Sequence, residues 1–182
     1  MCEPELDASS GLQVLLGTYA EAVAMVGAKS EISYAEIDVD SAMIQYFCGV
    51  AEDGNPSYWS EKFATPQWGG LISPPSMLHS WAIPFPWRPG GAQSSNSFSM
   101  QVPLPGDKVI NVSSDAEFIK PIYVGDRLSY REELKSVTEE KRTRLGVGHF
   151  VETILVVCNQ RGEPVARVTN SVLRYCNDSP RR

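Results

Sequence analysis

The first half of the chain has apolar residues at helical spacing. Ile44, Phe47, Cys48 and Ala51 lie one, three or four residues apart, which predicts an amphipathic helix. The polar turn at residues 52–56 follows directly and contains Asp-Gly-Asn-Pro, a pattern that ends helices and forms turns. We therefore expect a carboxylate and an amide side chain at the end of this helix.

Two further helices are predicted on either side of this central one. Apolar residues between positions 12 and 26 fall on one side of a helix that closes near Gly27, which indicates an N-terminal packing helix. A proline pair followed by an apolar run predicts a buried helix over residues 74–83. Asp38 or Asp40 is expected to cap the central helix.

The second half of the chain alternates apolar and polar residues instead. Alternation predicts strands, and the segments concerned are 109–112, 115–121, 126–139, 145–159 and 164–175. Residues 159–162 predict a hairpin turn between the last two. A short strand or extended arm is also expected at residues 32–37. Helices followed by an antiparallel sheet predict an α+β fold in which the sheet wraps around a central helix.

The segment from residue 84 to residue 106 is rich in proline and glycine and has no hydrophobic period. It predicts a long connection without regular structure, of the kind that is often functional. Phe85, Trp87 and Phe98 lie in it, and their large apolar side chains are costly to leave in water. We expect them to be buried against a ligand or a partner.

Length and composition limit the classes of protein that this chain can belong to. Its 182 residues are 42% hydrophobic, which is enough for one domain, expected over residues 11–176 with disordered ends at 1–10 and 177–182. A net charge of −6 argues against nucleic acid as a partner. The sequence has no apolar segment long enough to span a membrane and no leader pattern, so a cytoplasmic protein is expected.

The four cysteines have no metal-binding or redox spacing. None forms a Cys-x-x-Cys pair, and the chain has only two histidines. Four reduced thiols are the expected state, and neither a metal nor an organic cofactor is predicted.

Several separated motifs resemble one known family. The strings AEDGNPSYWSEKFA and WGGLISPPSML, then AEFIKPIYVGDRL, GVGHFVET and NQRGEPVAR, follow in the order found in the N-terminal, FAS1-type dehydratase domain of the MaoC-like dehydratase/hydratase family. The resemblance covers roughly residues 25–176. It implies a single hot-dog fold and the hydration of a trans-2-enoyl-CoA to a 3-hydroxyacyl-CoA, without a cofactor.

The same resemblance implies a catalytic turn with one departure. In catalytic members the turn reads Asp-x-Asn-Pro-x-His, and the Asp and His activate a water; here Asp53, Asn55 and Pro56 match but Tyr58 stands at the His position. A phenol titrates near ~10 and is a poorer base than imidazole at neutral pH. From the residues alone, the turn Asp-Gly-Asn-Pro favours a turn-forming role for Asp53, and the resemblance makes a catalytic role an equal alternative.

The resemblance implies further substrate contacts around the helix predicted over residues 74–83. Pro75, Ser76 and Met77 stand where relatives polarise the thioester carbonyl with a backbone N–H, although an ordinary core helix start is an equal alternative. His79 could touch substrate or simply pack, and Trp87 could wall a bulky acyl group.

The resemblance implies a function with several alternatives. The favoured one is an acyl-CoA-binding hot-dog subunit, the non-catalytic half of a heteromer that pairs with a homologous subunit which retains Asp and His. The alternatives are a homodimeric hydratase that uses Asp53 and Tyr58, a hot-dog thioesterase, and a pure acyl-CoA binding or scaffold protein. The nearest basic candidates for the CoA phosphates are Lys120, Arg127, Lys141 and Arg142.

Overall fold

The computed structural model describes residues 14–85, 87–89, 91–92 and 97–176. The ends predicted to be disordered, 1–10 and 177–182, lie outside the described residues. Helices come first: α1 (Tyr19–Ala24), α2 (Ser41–Ala51), α3 (Pro56–Trp59), α4 (Glu61–Trp68) and α5 (Leu78–Ala82). The strands are β1 (Ser33–Tyr34), β2 (Trp87–Arg88), β3 (Gly91–Ala92), β4 (Lys108–Phe118), β5 (Ser129–Val137), β6 (Lys141–Thr143), β7 (Gly146–Cys158) and β8 (Pro164–Cys176).

The central helix α2 is confirmed. Asp40 caps it by accepting a hydrogen bond from the Met43 backbone N–H at 3.0 Å. Ile44 and Cys48 are buried on one side, and Glu52 ends the helix in the left-handed conformation at φ 54°. Two of the apolar residues whose spacing predicted the helix, Ile44 and Cys48, thus form its buried side.

The N-terminal helix begins later than predicted. Thr18 and Glu21 form a capping box, so α1 starts at Tyr19 and not near residue 12. Leu15 instead lies in an extended segment whose N–H donates to the Met100 carbonyl at 2.8 Å. Leu15 and Leu16 therefore pair through their backbones with Met100 and Leu104, and their exposed side chains belong to no buried helix face.

The buried helix predicted over residues 74–83 is also different. The chain forms a 3₁₀ turn at Pro75–Met77 and then the five-residue α5. Trp81 is buried and its Nε1 donates to Ser73 Oγ at 2.9 Å, but His79 and Ser80 are exposed. The helix is therefore shorter than predicted, and only the side that carries Leu78 and Trp81 is buried.

The sheet is antiparallel, with the strand order β1-β5-β7-β8-β4, and β6 pairs with β7. The two strands predicted at 109–112 and 115–121 are a single strand, β4, with an irregularity between Asn111 and Ser113. Between the strands predicted at 126–139 and 145–159 the chain forms the additional short strand β6. The α+β prediction is confirmed.

The proline-rich connection has more structure than predicted. β2 and β3 pair as a small hairpin, and Phe98–Met100 forms a 3₁₀ turn. Phe98 is buried in the protein's own core, whereas Trp87 is 63% exposed and Phe85 is also exposed. Phe98 thus packs within this chain, so the prediction that it is buried against a ligand or partner is wrong.

Two apolar clusters cover the inner face of the sheet. One joins α2 and α5 to Leu128 and Val157 at one end, and the other joins α1 and the 97–104 segment to Leu134 and Val151 at the opposite end. Both sets of sheet residues belong to the same face because they alternate along β5 and β7. Helices therefore pack on one side of the sheet, at two separate places.

A buried arginine joins three segments of the chain. Arg174 in β8 has no exposed surface, and its guanidinium donates to the carbonyls of Leu15 at 3.1 Å, Val102 at 3.3 Å, Leu104 at 3.4 Å and Gly106 at 2.9 Å. Burial lowers the pKa of this guanidinium. The Leu15 and Leu104 carbonyls also accept from the backbone N–H groups of Leu104 and Gly17, whereas for the Val102 and Gly106 carbonyls Arg174 is the donor seen in the described part of the chain.

We predict that Arg174→Ala lowers the free energy of unfolding by about 3 kcal/mol, because it leaves the buried Val102 and Gly106 carbonyls without their donor. Denaturant unfolding followed by circular dichroism measures this. Arg167→Ala is the matched control, since Arg167 lies on the same strand but is exposed and only 3.9 Å from Glu117. Equal losses in the two variants would contradict the structural role of Arg174.

The predicted hairpin turn at residues 159–162 is confirmed. Gly162 has φ 72° and its N–H donates to the Asn159 carbonyl at 2.9 Å. Glu163 closes the turn by accepting hydrogen bonds from Asn159 Nδ2 at 2.9 Å, Lys120 Nζ at 2.7 Å and Arg161 Nε at 2.8 Å. These hydrogen bonds lower the pKa of Glu163 to about 2, with the one from Asn159 having the largest effect.

A carboxyl group whose pKa is lower in the folded protein than in the unfolded chain stabilises the fold at pH values above its unfolded pKa. This stabilisation is lost as the pH falls toward the pKa of the folded state. For Glu163 the loss is expected between about pH 5 and pH 2. Glu163→Gln should therefore destabilise the protein at pH 7 but have a much smaller effect at pH 2.5, as measured by urea unfolding at both pH values. Glu117→Gln, at an exposed glutamate, is the control; an unchanged effect of Glu163→Gln at both pH values would contradict the assignment.

Candidate functional site

The turn after α2 holds the residues that the resemblance implies are catalytic. Asp53 is half-buried, and its Oδ1 accepts a hydrogen bond from the Asn55 N–H at 3.0 Å. Its carbonyl accepts from Trp59 Nε1 at 2.7 Å. Asn55 is exposed and caps α3, with Oδ1 accepting from the Ser57 N–H at 3.0 Å. The turn-forming role expected as an alternative for Asp53 is therefore present in the structure.

Tyr58 is buried beneath this turn. It is 9% exposed and packs in the same apolar cluster as Cys48. Burial raises the pKa of Tyr58 and the nearby Asp53 charge raises it further, while a hydrogen bond with the Asn55 side chain opposes them. The phenol is therefore protonated at neutral pH and can donate a hydrogen bond, but it cannot act as a base there.

The other predicted contact residues lie apart from that turn in the chain. Pro75 and Ser76 are exposed in the 3₁₀ turn, while Met77 is buried beside α2. Trp87 is exposed in the β2–β3 hairpin. His79 is exposed on α5 and lines a cavity.

This cavity has a volume of about 620 Å³. It lies on the inner face of the sheet, between the two apolar clusters. Its described lining residues are Ser30, Ser33, Tyr34, Glu36, His79, Ala82, Ile83, Pro84, Ser97, Tyr130, Glu132, Thr153, Leu155, Val168 and Asn170. Of the predicted site residues, only His79 is among them; Asp53, Asn55, Tyr58 and Trp87 are not.

The inner end of the cavity is polar. Glu132 accepts hydrogen bonds from the Phe98 N–H and the Ser97 hydroxyl, both at 3.4 Å. Burial raises the pKa of this carboxyl group, while the hydrogen bonds from Phe98, Ser97 and Thr153 lower it. On β8, Asn170 Oδ1 accepts from Ser114 Oγ at 2.6 Å.

Sequence reasoning missed these polar residues. Glu132, Thr153 and Asn170 each interrupt an otherwise apolar inward face of a strand, and Thr153 lies directly opposite Asn170. Polar residues at inward positions of neighbouring strands are the signal that could have found them. Recognising it requires the strand register, which the sequence pattern does not supply.

The basic residues expected near the CoA phosphates have local partners. Lys120 pairs with Glu163 at 2.7 Å, Arg127 with Asp38 at 3.6 Å, and Lys141 lies 5.6 Å from the centre of the Phe150 ring. Arg142 also makes a contact within the protein. None of the four lines the cavity.

Two classes of site are not seen in the part of the chain that the structure describes. No group of three or more His, Cys, Asp or Glu side chains could hold a metal ion there. No helix within those ranges is long and apolar enough to cross a membrane. His149, the second histidine, is buried, stacks on Tyr19 and bonds the Thr138 carbonyl through Nδ1 at 2.9 Å.

An antiparallel sheet with short helices packed on one face, and a cavity between helices and sheet, is the hot-dog architecture that the sequence motifs led us to expect. The model of the FAS1-like dehydratase domain region matches residues 24–168. The chain therefore belongs to this family, and its MaoC-like hot-dog fold is confirmed.

The relatives agree with this assignment. A probable enoyl-CoA hydratase alpha subunit from Thermomonospora curvata is 29% identical over 146 residues, which are 75% of this chain and 45% of that protein. The chain thus spans less than half the length of this curated relative.

Solved structures show the same fold. The ChsH1-ChsH2 complex from Mycobacterium tuberculosis contains a chain with a TM-score of 0.70 and 22% identity, covering 89% of this chain and 93% of that one. The MaoC-like dehydratase from Rhodospirillum rubrum has a TM-score of 0.56 and 23% identity, covering 85% and 94%.

Proposed function

We propose that this chain is the acyl-CoA-binding, non-catalytic hot-dog subunit of an enoyl-CoA hydratase heteromer. The observation that carries the proposal is Tyr58, which occupies the position of the catalytic histidine, is buried in the apolar core and has a raised pKa. Asp53 nearby is used in the turn through its bond with the Asn55 N–H. A base for water activation then has to come from another subunit.

The cavity supports an acyl-binding role. Ligand pockets commonly measure about 300–1,000 Å³, and the 620 Å³ cavity falls in this range. Its apolar entrance includes Ala82, Ile83 and Pro84 at the end of α5. A bulky acyl group fits a space of this size better than a short chain would.

The open edge of the sheet supports a partner subunit. β4 pairs with β8 on one side only, and all its residues from Ile110 to Phe118 are exposed. A long edge strand with exposed Val112 and Phe118 is an aggregation hazard unless another chain covers it. The hydratase-like relative is itself an alpha subunit, and a similar solved structure is a complex of two differently named chains.

We predict that the purified chain alone does not hydrate trans-2-enoyl-CoA, because a buried phenol cannot accept the proton of water. Hydration removes the conjugated double bond, so loss of the ultraviolet absorbance of the enoyl thioester follows the reaction. Mixing with a homologous hot-dog subunit that retains Asp and His should give turnover.

Three outcomes separate the alternatives. Turnover by the chain alone that is lost in Asp53→Asn would contradict the proposal and favour a homodimeric hydratase. Release of free CoA would indicate a thioesterase. Binding of acyl-CoA without turnover in any mixture would leave a binding or scaffold protein.

We also predict that the chain is never a stable monomer, because β4 needs a covering strand. Light scattering should give at least twice the 20.0 kDa of one chain. Val112→Lys places a charge on the open edge and should shift the protein toward monomer, whereas Val124→Lys, at an exposed valine in the turn before β5, should not. A monodisperse wild-type monomer at micromolar concentration would refute the paired arrangement.

A further inference from the structure

The cavity has an unusual distribution of polarity. Along β5 the inward residues are Leu128, Tyr130, Glu132 and Leu134, so apolar ends enclose a polar centre. The same order occurs on β8, where Val168 and Val172 flank Asn170. Ligand pockets are mostly apolar with a few polar groups that fix orientation, and here Glu132, Thr153 and Asn170 on three neighbouring strands line the cavity together.

These polar groups are incompletely paired within the described part of the chain. Tyr130 is 6% exposed, and its Oη is enclosed without any hydrogen-bond partner there. Asn170 uses Oδ1 for Ser114, whereas its Nδ2 donates to no described residue. Glu132 accepts only the two long bonds, at 3.4 Å, together with the interaction with Thr153.

Their chemistry defines what would satisfy them. Asn170 Nδ2 can donate a hydrogen bond to an oxygen, and Glu132 can accept one from a hydroxyl group. A hydrocarbon tail filling this space would displace water from these two side chains and leave Asn170 Nδ2 without a partner, which costs binding free energy. An oxygen placed there would recover the lost hydrogen bonds.

We propose that the cavity selects acyl thioesters whose acyl group carries a hydroxyl or carbonyl oxygen remote from the thioester, bound by Glu132 and Asn170. This deepens the proposed function and rests on it. Tyr34 and Ile83 line the cavity and are more than 60% exposed, so they mark its mouth. The acyl group would enter there, past His79, and place its oxygen against the sheet.

The test compares matched ligands. Isothermal titration calorimetry measures the binding of saturated acyl-CoAs of about eight to twelve carbons, each with and without a terminal hydroxyl, to the wild-type chain. The best hydroxylated member should bind about tenfold more tightly than its plain counterpart, the effect of one well-made hydrogen bond or slightly more.

Variants locate the effect in the cavity. Asn170→Leu should abolish the preference and bind plain acyl-CoA as tightly as, or more tightly than, the wild type, a gain that a misfolded protein would not show. Glu133→Gln is the control, because Glu133 follows Glu132 on the opposite face and pairs with Lys29 at 3.2 Å; its preference should be unchanged.

The possible failures are distinguishable. If plain and hydroxylated thioesters bind equally, or if Asn170→Leu keeps the preference, the inference about oxygen recognition is wrong and the acyl-binding role stands. If no acyl-CoA binds at all, the proposed function is overturned and this inference with it.

Discussion

The buried guanidinium of Arg174 is the contact on which the cavity depends. It binds the carbonyls of Leu15, Val102 and Gly106, and so fixes the N-terminal segment and the end of the long connection against β8. Gly106 has φ 101°, and a side chain there would come within 2.8 Å of the Tyr175 backbone. Once this end is fixed, the 97–104 segment lies over the sheet, and the Phe98 N–H reaches Glu132. A contact at one end of the sheet therefore positions a wall of the cavity.

The sequence correctly predicted the helix and turn features that depend on residues close together in the chain. The spacing of Ile44 and Cys48, the Asp40 cap and the turn before Glu163 each act within a few residues, so the chain need not be folded to reveal them. The same reasoning failed at Leu15, whose apolar side chain suited a helix equally well. There the capping box at Thr18 determined where the helix began.

Non-local pairing decided what the sequence could not predict. Arg174 has a polar side chain within a strand, and only the packing of distant segments shows that its face is buried. Glu132 and Asn170 come together because β5, β7 and β8 pair in one register, and a shift of one residue would place them on the opposite face. The family motif lies in one continuous segment, so the resemblance identified the turn at Asp53 and not the cavity residues, which come from separate strands.

The separation of the turn from the cavity fits a division of work between subunits. A catalytic base must lie within hydrogen-bonding reach of the proton that it removes. Here Tyr58 is enclosed in the core with Cys48, and the residues that line the cavity come from other elements. The polar groups of this chain are thus arranged around the space for an acyl group and not around a reacting carbon. In the proposed heteromer, this chain would improve catalysis through the acyl group that it holds, because orienting a bound group raises the rate at the base of a partner.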